Sequence, residues 1–219
     1  MYHQELIMSF GEIFTIQDEN EPVRNCTVSR EIYNHAGNVI TYFSLDKDSD
    51  ISPELYNNHK LLIISSGQVE ILSSSLTEGE CVITTVNSPV GVKALSESVY
   101  TEILFNSGGF TMNEAIKSGE VFKLSELVPY QEGRIINMDI AHNDKMKFAV
   151  MAFAEGTGLS EHAAPGDALI FALDGEGIIG YEGREYHIKA GENFRFAKNG
   201  KHYVKAKGNF KMALLLTLD

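Results

Sequence analysis

The chain has few cysteines, a deficit of positive charge and no long apolar run. Its 219 residues include two cysteines, and 18 basic against 30 acidic residues give a net charge of −12. Two cysteines are too few for a disulfide framework, so Cys26 and Cys81 are predicted to be free thiols in a reducing compartment, which indicates a cytoplasmic protein. Nucleic acids and anionic membranes both reward clustered Lys and Arg, so neither is expected as a partner.

Several motifs are also missing. No run of ~18 apolar residues exists to span a bilayer, and residues 1–10 carry Glu5 and no apolar stretch of the kind found in signal peptides. The sequence contains no phosphate-binding glycine loop, no nucleophile elbow and no paired cysteines of a zinc ribbon. Apolar residues make up 43% of the chain, which is enough for a packed core.

What the sequence does contain is a duplication. Residues 11–14 (Gly-Glu-Ile-Phe) recur as residues 119–122 (Gly-Glu-Val-Phe), and Gly67 corresponds to Gly175, so the offset is 108 residues in both cases. Past these positions the offset becomes 112, because the second copy has four extra residues at a predicted hairpin tip. Two copies of one folding unit are therefore predicted.

The pattern within each copy indicates an all-β fold. Short β-branched and aromatic runs alternate with glycine turns, and residues 168–173 and 177–181 are predicted to form a hairpin around Gly175. Residues 111–118 are the exception: Thr111 followed by Glu114 fits a capping box, and the segment ends before Gly119. A short linker helix is predicted there, between domains at residues 1–110 and 119–219.

The second copy resembles the cupin family through two motifs that flank the predicted hairpin. In the first motif, counting back from Gly175 places His162 at the first histidine position, Ala164 at the second and Ala168 at the glutamate position. In the second motif, His202 stands at the histidine position. The resemblance implies a two-domain cupin, or bicupin, built from two jelly-roll-like β-barrels in tandem, and similar cupins suggest a homodimer.

The first copy resembles a cupin only through its likeness to the second. Its four motif positions hold Glu54, Tyr56, Lys60 and Val90, so no histidine is present and lysine replaces the glutamate. Valine cannot bind a metal. The first barrel is therefore expected to hold no metal and to serve as a packing partner for the second.

The resemblance implies a metal site in the second copy, but only in part. A cupin of the usual kind holds a divalent ion with three histidines and a glutamate, whereas here His162 and His202 alone remain. A Zn, Ni, Mn or Fe ion could sit between them with water or a ligand in the open positions. The alternative needs no metal: a neutral imidazole both donates and accepts, so the pair could hold a hydroxyl, carboxylate or carbonyl group.

Five further residues are candidates for the wall of the same pocket. Asp167 precedes the glutamate position and could turn inward, although a turn role after the Pro-Gly pair is the preferred interpretation. Strand alternation places Phe194 and Phe196 on one face, and Phe171 and Tyr181 complete the set. Ordinary core packing is the competing explanation for the aromatic residues.

Three functions follow from these observations. The first is a protein that binds a small polar or aromatic molecule in the second barrel, with or without a divalent ion. The second is a metal-dependent enzyme acting on a small organic acid or sugar, which needs a third protein ligand or a ligand-completed site. The third is a metal-free structural or regulatory module that associates through exposed sheet edges.

Overall fold

A computed structural model describes residues 9–218, and most of residues 1–10, where a signal peptide is not expected, lies outside this range. The N-terminal half (residues 9–110) contains one short helix and ten strands. These are β1 (Ile13–Phe14), α1 (Ile16–Glu19), β2 (Thr27–His35), β3 (Asn38–Leu45), β4 (Asp50–Leu55), β5 (Lys60–Ser66), β6 (Gln68–Ile71), β7 (Ser74–Thr77), β8 (Glu80–Ile83), β9 (Pro89–Ala94) and β10 (Ser98–Leu104).

The C-terminal half (residues 111–218) contains nine strands and one turn of 3₁₀ helix at Leu124–Glu126. The strands are β11 (Thr111–Met112), β12 (Val121–Lys123), β13 (Ile135–Asn143), β14 (Met146–Phe153), β15 (Gly158–Ala163), β16 (Ala168–Tyr181), β17 (Arg184–Lys189), β18 (Asn193–Phe196) and β19 (Lys201–Thr217). The predicted all-β class is confirmed. No helix in residues 9–218 is long and apolar enough to cross a membrane.

The strands form three sheets. A six-stranded sheet (β12-β8-β5-β10-β3-β2) and a four-stranded sheet (β4-β9-β6-β7) face each other in the N-terminal half. The third sheet has nine strands: β1 and eight strands of the C-terminal half. Within residues 9–218 the strand pairing does not close into a cylinder in either half. The N-terminal half is thus a sandwich of two sheets, and the two jelly-roll-like barrels in tandem stay a prediction.

Each half contributes one strand to the other. Strand β1 pairs with β18 through Ile13 and Phe194, while β12 pairs with β8 through Val121 and Val82. Residue 13 corresponds to 121 by the offset of 108, and residue 82 corresponds to 194 by the offset of 112. The exchange is therefore pseudo-symmetric, and it follows the sequence repeat residue for residue.

Three hydrophobic clusters fill the molecule, and the largest lies between the halves. Along β5, Leu61 and Ile63 belong to this shared cluster, whereas Leu62 and Ile64 face the interior of the N-terminal sandwich. The side chains of β16 alternate in the same way between the shared cluster and the interior of the C-terminal half. Because both faces of these strands are buried, their sequences are continuously apolar instead of alternating.

The predicted linker helix is wrong. Thr111 and Met112 pair with His142 and Ala141 in β11 and β13. Asn113 then forms a tight turn. Its side-chain oxygen accepts a hydrogen bond from the amide of Ala115, and its carbonyl oxygen accepts one from the amide of Ile116, both at 3.0 Å. The sequence that resembles a helix cap therefore forms a turn after a strand. Too few residues remain before Gly119 for a helix to propagate.

The predicted hairpin around Gly175 is also wrong, since β16 runs unbroken from Ala168 to Tyr181. Gly175 has φ +70° at a register shift, and a Cβ there would overlap the carbonyl oxygen of Asn209. At the equivalent position, Gly67 separates β5 from β6, which lie in different sheets. The glycine is thus a bend that carries the chain from one sheet region to the next.

Polar contacts reinforce the junction between the halves. The guanidinium of Arg195, whose side chain is 3% exposed, binds both carboxylate oxygens of Glu19 at 2.9 and 2.6 Å and the hydroxyl of Tyr42 at 3.2 Å. Arg195 also stacks over the ring of Phe14 at 3.7 Å. This bidentate pair joins α1 to β18, so it fixes the N-terminal arm against the opposite half. Cys26 and Cys81 are free thiols, as predicted.

Replacement of Glu19 by glutamine should destabilise the protein, because it leaves the buried charge of Arg195 without a counter-ion. Loss of one partner of a buried pair costs ~3–5 kcal/mol, and the partial exposure of Glu19 places the expected loss near ~2–3 kcal/mol. Urea unfolding measures it. Glu12→Gln, at an exposed position on the same arm, is the control and should lose less than ~0.5 kcal/mol. Equal stabilities of the two variants would contradict the assigned role of the pair.

Candidate functional site

His162 and His202 meet across two paired strands. His162 in β15 lies directly opposite His202 in β19, and their ring centroids are 4.3 Å apart with an angle of 55° between the planes. Directly opposed residues in an antiparallel pair point to the same side of the sheet. The structure therefore brings together the two histidines that the motif positions singled out.

A β-bulge helps to set this register. The β15–β19 pairing shifts between Leu159 and His162, and the N-terminal half has the corresponding shift between Ile51 and Glu54. In that half Glu54 lies opposite Val90, the residues that replace the two histidines. Since β-bulges re-aim side chains, both halves retain the local geometry of the site but only the second carries imidazoles.

Backbone carbonyls fix the tautomer of both rings. Nδ1 of His162 lies 2.8 Å from the carbonyl oxygen of Ser160, and Nδ1 of His202 lies 2.9 Å from that of Gly200. A carbonyl oxygen can only accept, so each Nδ1 carries a proton, and Nε2 is the nitrogen of each ring that remains available to a ligand. This arrangement is typical of metal-ligating histidines, whose second nitrogen is held by an acceptor of the protein.

The two rings differ in their surroundings. His202 is 6% exposed and stacks on Phe196 at a centroid distance of 4.1 Å, whereas His162 is exposed. Burial lowers the pKa of His202 below its usual value; the hydrogen bond to the backbone opposes this shift, and the neighbouring His162 adds to it. The buried imidazole is therefore neutral at neutral pH, which is the form that can bind a metal.

The remaining motif positions supply no further ligand. Ala168 at the glutamate position is buried in the C-terminal core, and Ala164 at the second histidine position is buried as well. Residues 9–218 contain no group of three or more His, Cys, Asp or Glu side chains arranged to hold a metal ion. A complete cupin ligand set is thus not formed by the described part of the chain.

Asp167 does not turn toward the histidines. Its carboxylate accepts a hydrogen bond from the amide of Lys198 at 2.7 Å, and its carbonyl accepts from the amide of Thr217 at 2.9 Å. These bonds fix the loop before β16 to the strand ends beside it. The turn role considered for Asp167 agrees with this placement, and its assignment to the histidine pocket is corrected.

The predicted aromatic residues fall into two groups. Tyr181, Phe194 and Phe196 pack together next to His202, with centroid distances of 5.0–5.8 Å. Phe194 and Phe196 are buried on one face, as alternation predicts, and they form close packing beneath the histidine. Phe171 lies on the other face of β16, against Phe148 in the shared cluster, so its assignment to the pocket is corrected.

In the N-terminal half an internal charge pair occupies the motif position of the glutamate. Lys60 is 5% exposed, and its Nζ binds Glu102 at 2.9 Å and lies 3.3 Å from the ring centre of Tyr56. The Tyr56 hydroxyl in turn donates to Glu54 at 2.8 Å. Sequence reasoning did not find Glu102; the available signal was a lone carboxylate in the largely apolar strand β10.

Comparisons with known proteins agree with this geometry. A family model described as a cupin domain matches residues 149–218, which include both histidines. The fold is similar to that of a cupin 2 conserved barrel domain protein from Leptotrichia buccalis, with a TM-score of 0.83 and 27% identity over 96% of this chain and 98% of that one. No functionally curated protein matches the sequence.

More distant structures include two enzymes. The fold is similar to salicylate 1,2-dioxygenase from Pseudoaminobacter salicylatoxidans, with a TM-score of 0.60 and 9% identity over 85% of this chain and 73% of that one. It is also similar to oxalate decarboxylase from Bacillus subtilis, with a TM-score of 0.53 and 11% identity over 96% and 78%. At these identities the likeness concerns the fold alone. Motif positions, family model and overall fold agree, and the chain belongs to the cupin superfamily.

Proposed function

We propose that the C-terminal half binds a divalent transition metal through Nε2 of His162 and His202 and uses its open coordination positions to capture a small polar molecule. The observation that carries this proposal is the pair of adjacent imidazoles, each with Nδ1 bound to a backbone carbonyl. Two imidazoles fit a metal, but only as a partial ligand set. Such a site is weak and exchangeable, and most coordination positions are open to water or ligand.

The donor set favours particular metals. Imidazole suits Zn and Ni, whereas Mn prefers carboxylate oxygens, and the glutamate position is occupied by Ala168. Affinity for nitrogen donors also rises from Mn through Fe and Ni along the divalent series. Of the metals considered, we therefore propose Zn or Ni as the better fit.

The asymmetry of the pair supports ligand capture rather than a closed structural metal site. The ring of His202 stacks on the ring of Phe196, which fixes its orientation. His162 is exposed and leaves the site open to solvent. A bound metal would supply a Lewis-acid centre for an anionic or hydroxyl oxygen. The histidines would position that centre, and the packed aromatic residues beneath it would exclude water from one side.

The alternatives differ in what they require. An enzyme acting on a small organic acid or sugar would need its substrate to complete the ligand set, because Asp167 and Ala168 do not. A metal-free version would use the same two Nε2 atoms as hydrogen-bond acceptors for a ligand. That the protein is a metal-free structural or regulatory module stays a prediction, and so does its association into a homodimer.

Removal of either histidine should weaken metal binding, because one imidazole alone holds a divalent ion less tightly than two. We expect His162→Ala and His202→Ala each to weaken Ni and Zn binding at least ~10-fold in equilibrium dialysis at neutral pH. His187→Ala, at an exposed histidine on β17, is the matched control and should bind as the unchanged protein does. Equal metal content in all four proteins would overturn the proposal.

The buried histidine should also make stability depend on pH. Since the pKa of His202 is lowered in the folded state, the unfolded chain takes up its proton first as pH falls through about 6.5. Stability contributed by the neutral ring is thus complete above this pH and is lost progressively below it. In His202→Asn, which retains a donor for Gly200, the free energy of unfolding should fall less between pH 7 and pH 5. If the free energy of unfolding falls equally with pH in the unchanged protein and in His202→Asn, His202 is not the cause of the pH dependence.

A further inference from the structure

A groove lies between the two halves, beside the turns that precede β8 and β18. Its volume is about 260 Å³, which is room for a small organic molecule rather than a single water. Residues 63–65 of β5 and 171–173 of β16 line it, together with residues 78–79 and 190–192 of the two turns. These segments correspond to each other in the repeats, by the offsets of 108 and 112. Among the described residues that line the groove, neither histidine of the proposed metal site occurs.

One wall of the groove is apolar. Ile63 and Phe171 belong to the shared cluster between the halves, and Leu173 packs against that cluster. Strand alternation places Ser65 on the same face of β5 as Ile63, at the position where the second repeat has Leu173. The shorter serine side chain fills less of the groove than a leucine would. The wall can therefore shield the apolar body of a ligand from water.

The turns add negative charge to the groove. Among the described residues that line it, two carry a carboxylate and none carries a positive charge. Glu78 is exposed, and the equivalent residue of the second repeat is Ala190. Glu192 is 21% exposed; one oxygen accepts a hydrogen bond from the amide of Lys189 at 2.9 Å, and the other lies 4.0 Å from Nζ of Lys189. Because that ammonium group is 70% exposed, the ion pair is weak, and this oxygen stays available to a ligand.

The combination of an apolar wall and two carboxylates restricts the ligand. An anion would meet both negative side chains, in a chain whose net charge is already −12. A wholly apolar molecule would remove the carboxylates from water without offering them a partner, which is costly. An ammonium group attached to an apolar body avoids both penalties, because it donates charge-assisted hydrogen bonds to carboxylate oxygens.

We propose that this groove binds a small organic ammonium ion with an apolar body. Glu78 and Glu192, one from each half, hold the ammonium group, and Ile63, Phe171 and Leu173 pack against the body. Both carboxylates are accessible from the groove mouth, since neither side chain is buried. The site is separate from the metal site, so either can fail without the other.

Phenethylamine tests the chemical class, because at neutral pH it is an ammonium ion with an aromatic body. In ligand-observed NMR titrations at low ionic strength we expect saturable binding, at least ~10-fold tighter than that of phenethyl alcohol, which lacks the charge. Phenylacetate should bind at least ~10-fold more weakly than the amine. Ethylamine, which lacks the aromatic body, should bind at least ~5-fold more weakly. Absence of saturable binding by phenethylamine, or equal binding of the alcohol or of ethylamine, rejects the assigned ligand class.

Two charge variants test the location. Glu78→Gln removes one of the two carboxylates and should weaken the binding of phenethylamine at least ~3-fold. Glu132→Gln removes the same charge at an exposed position outside the groove, so it changes the net charge equally and should leave the affinity unchanged. If the two variants bind the amine with equal affinity, the overall charge of the chain attracts it and the groove is not its site.

A third variant tests the apolar wall. Ser65→Leu gives β5 the residue that the second repeat carries at the equivalent position, so the fold should accept it. The larger side chain should fill the groove and weaken binding at least ~10-fold, whereas Ser65→Ala, which removes only the hydroxyl, should bind as the unchanged protein does. Unchanged affinity in a folded Ser65→Leu variant contradicts the assignment. If Ser65→Leu does not fold, the comparison of Glu78→Gln with Glu132→Gln decides.

Discussion

The burial of β5 and β16 on both faces is the constraint on which the rest of the structure depends. One face of each strand packs in the shared cluster between the halves, and the other face packs inside its own half. Neither strand can shift by one residue without exchanging two buried sets of side chains. This fixes the position of β19 beside β16, and with it the position of His202.

The candidate site depends on this rigidity in a second way. His202 is buried on β19, a seventeen-residue strand that pairs with both β16 and β15, whereas His162 lies on the peripheral strand β15. A fixed imidazole next to an exposed one lets a partial ligand set retain its geometry while the outer position stays accessible. The N-terminal half keeps the same strand register, but Glu54 and Val90 replace the histidines, and buried Lys60 forms an ion pair with half-buried Glu102.

The sequence predicts the duplication, the fold class and the meeting of the two histidines, because these depend on residue spacing along paired strands. It does not predict which way Phe171 points, because a continuous apolar run carries no alternation from which a face could be read. It also misleads at residues 111–118, where a local capping pattern competes with strand pairing to β13, a contact distant in sequence. Asp167 binds the amide of Lys198, and Lys60 binds Glu102. Both partners are distant in sequence, so the residues around Asp167 and Lys60 do not indicate them.

The exchange of β1 and β12 affects how the molecule comes apart. Each half completes a sheet of the other, so neither can open without breaking hydrogen-bonded ladders in both. Two similar units joined end to end would ordinarily be free to melt one after the other. Here the reciprocal strands couple the two halves, so we expect the repeats to unfold as a single cooperative unit.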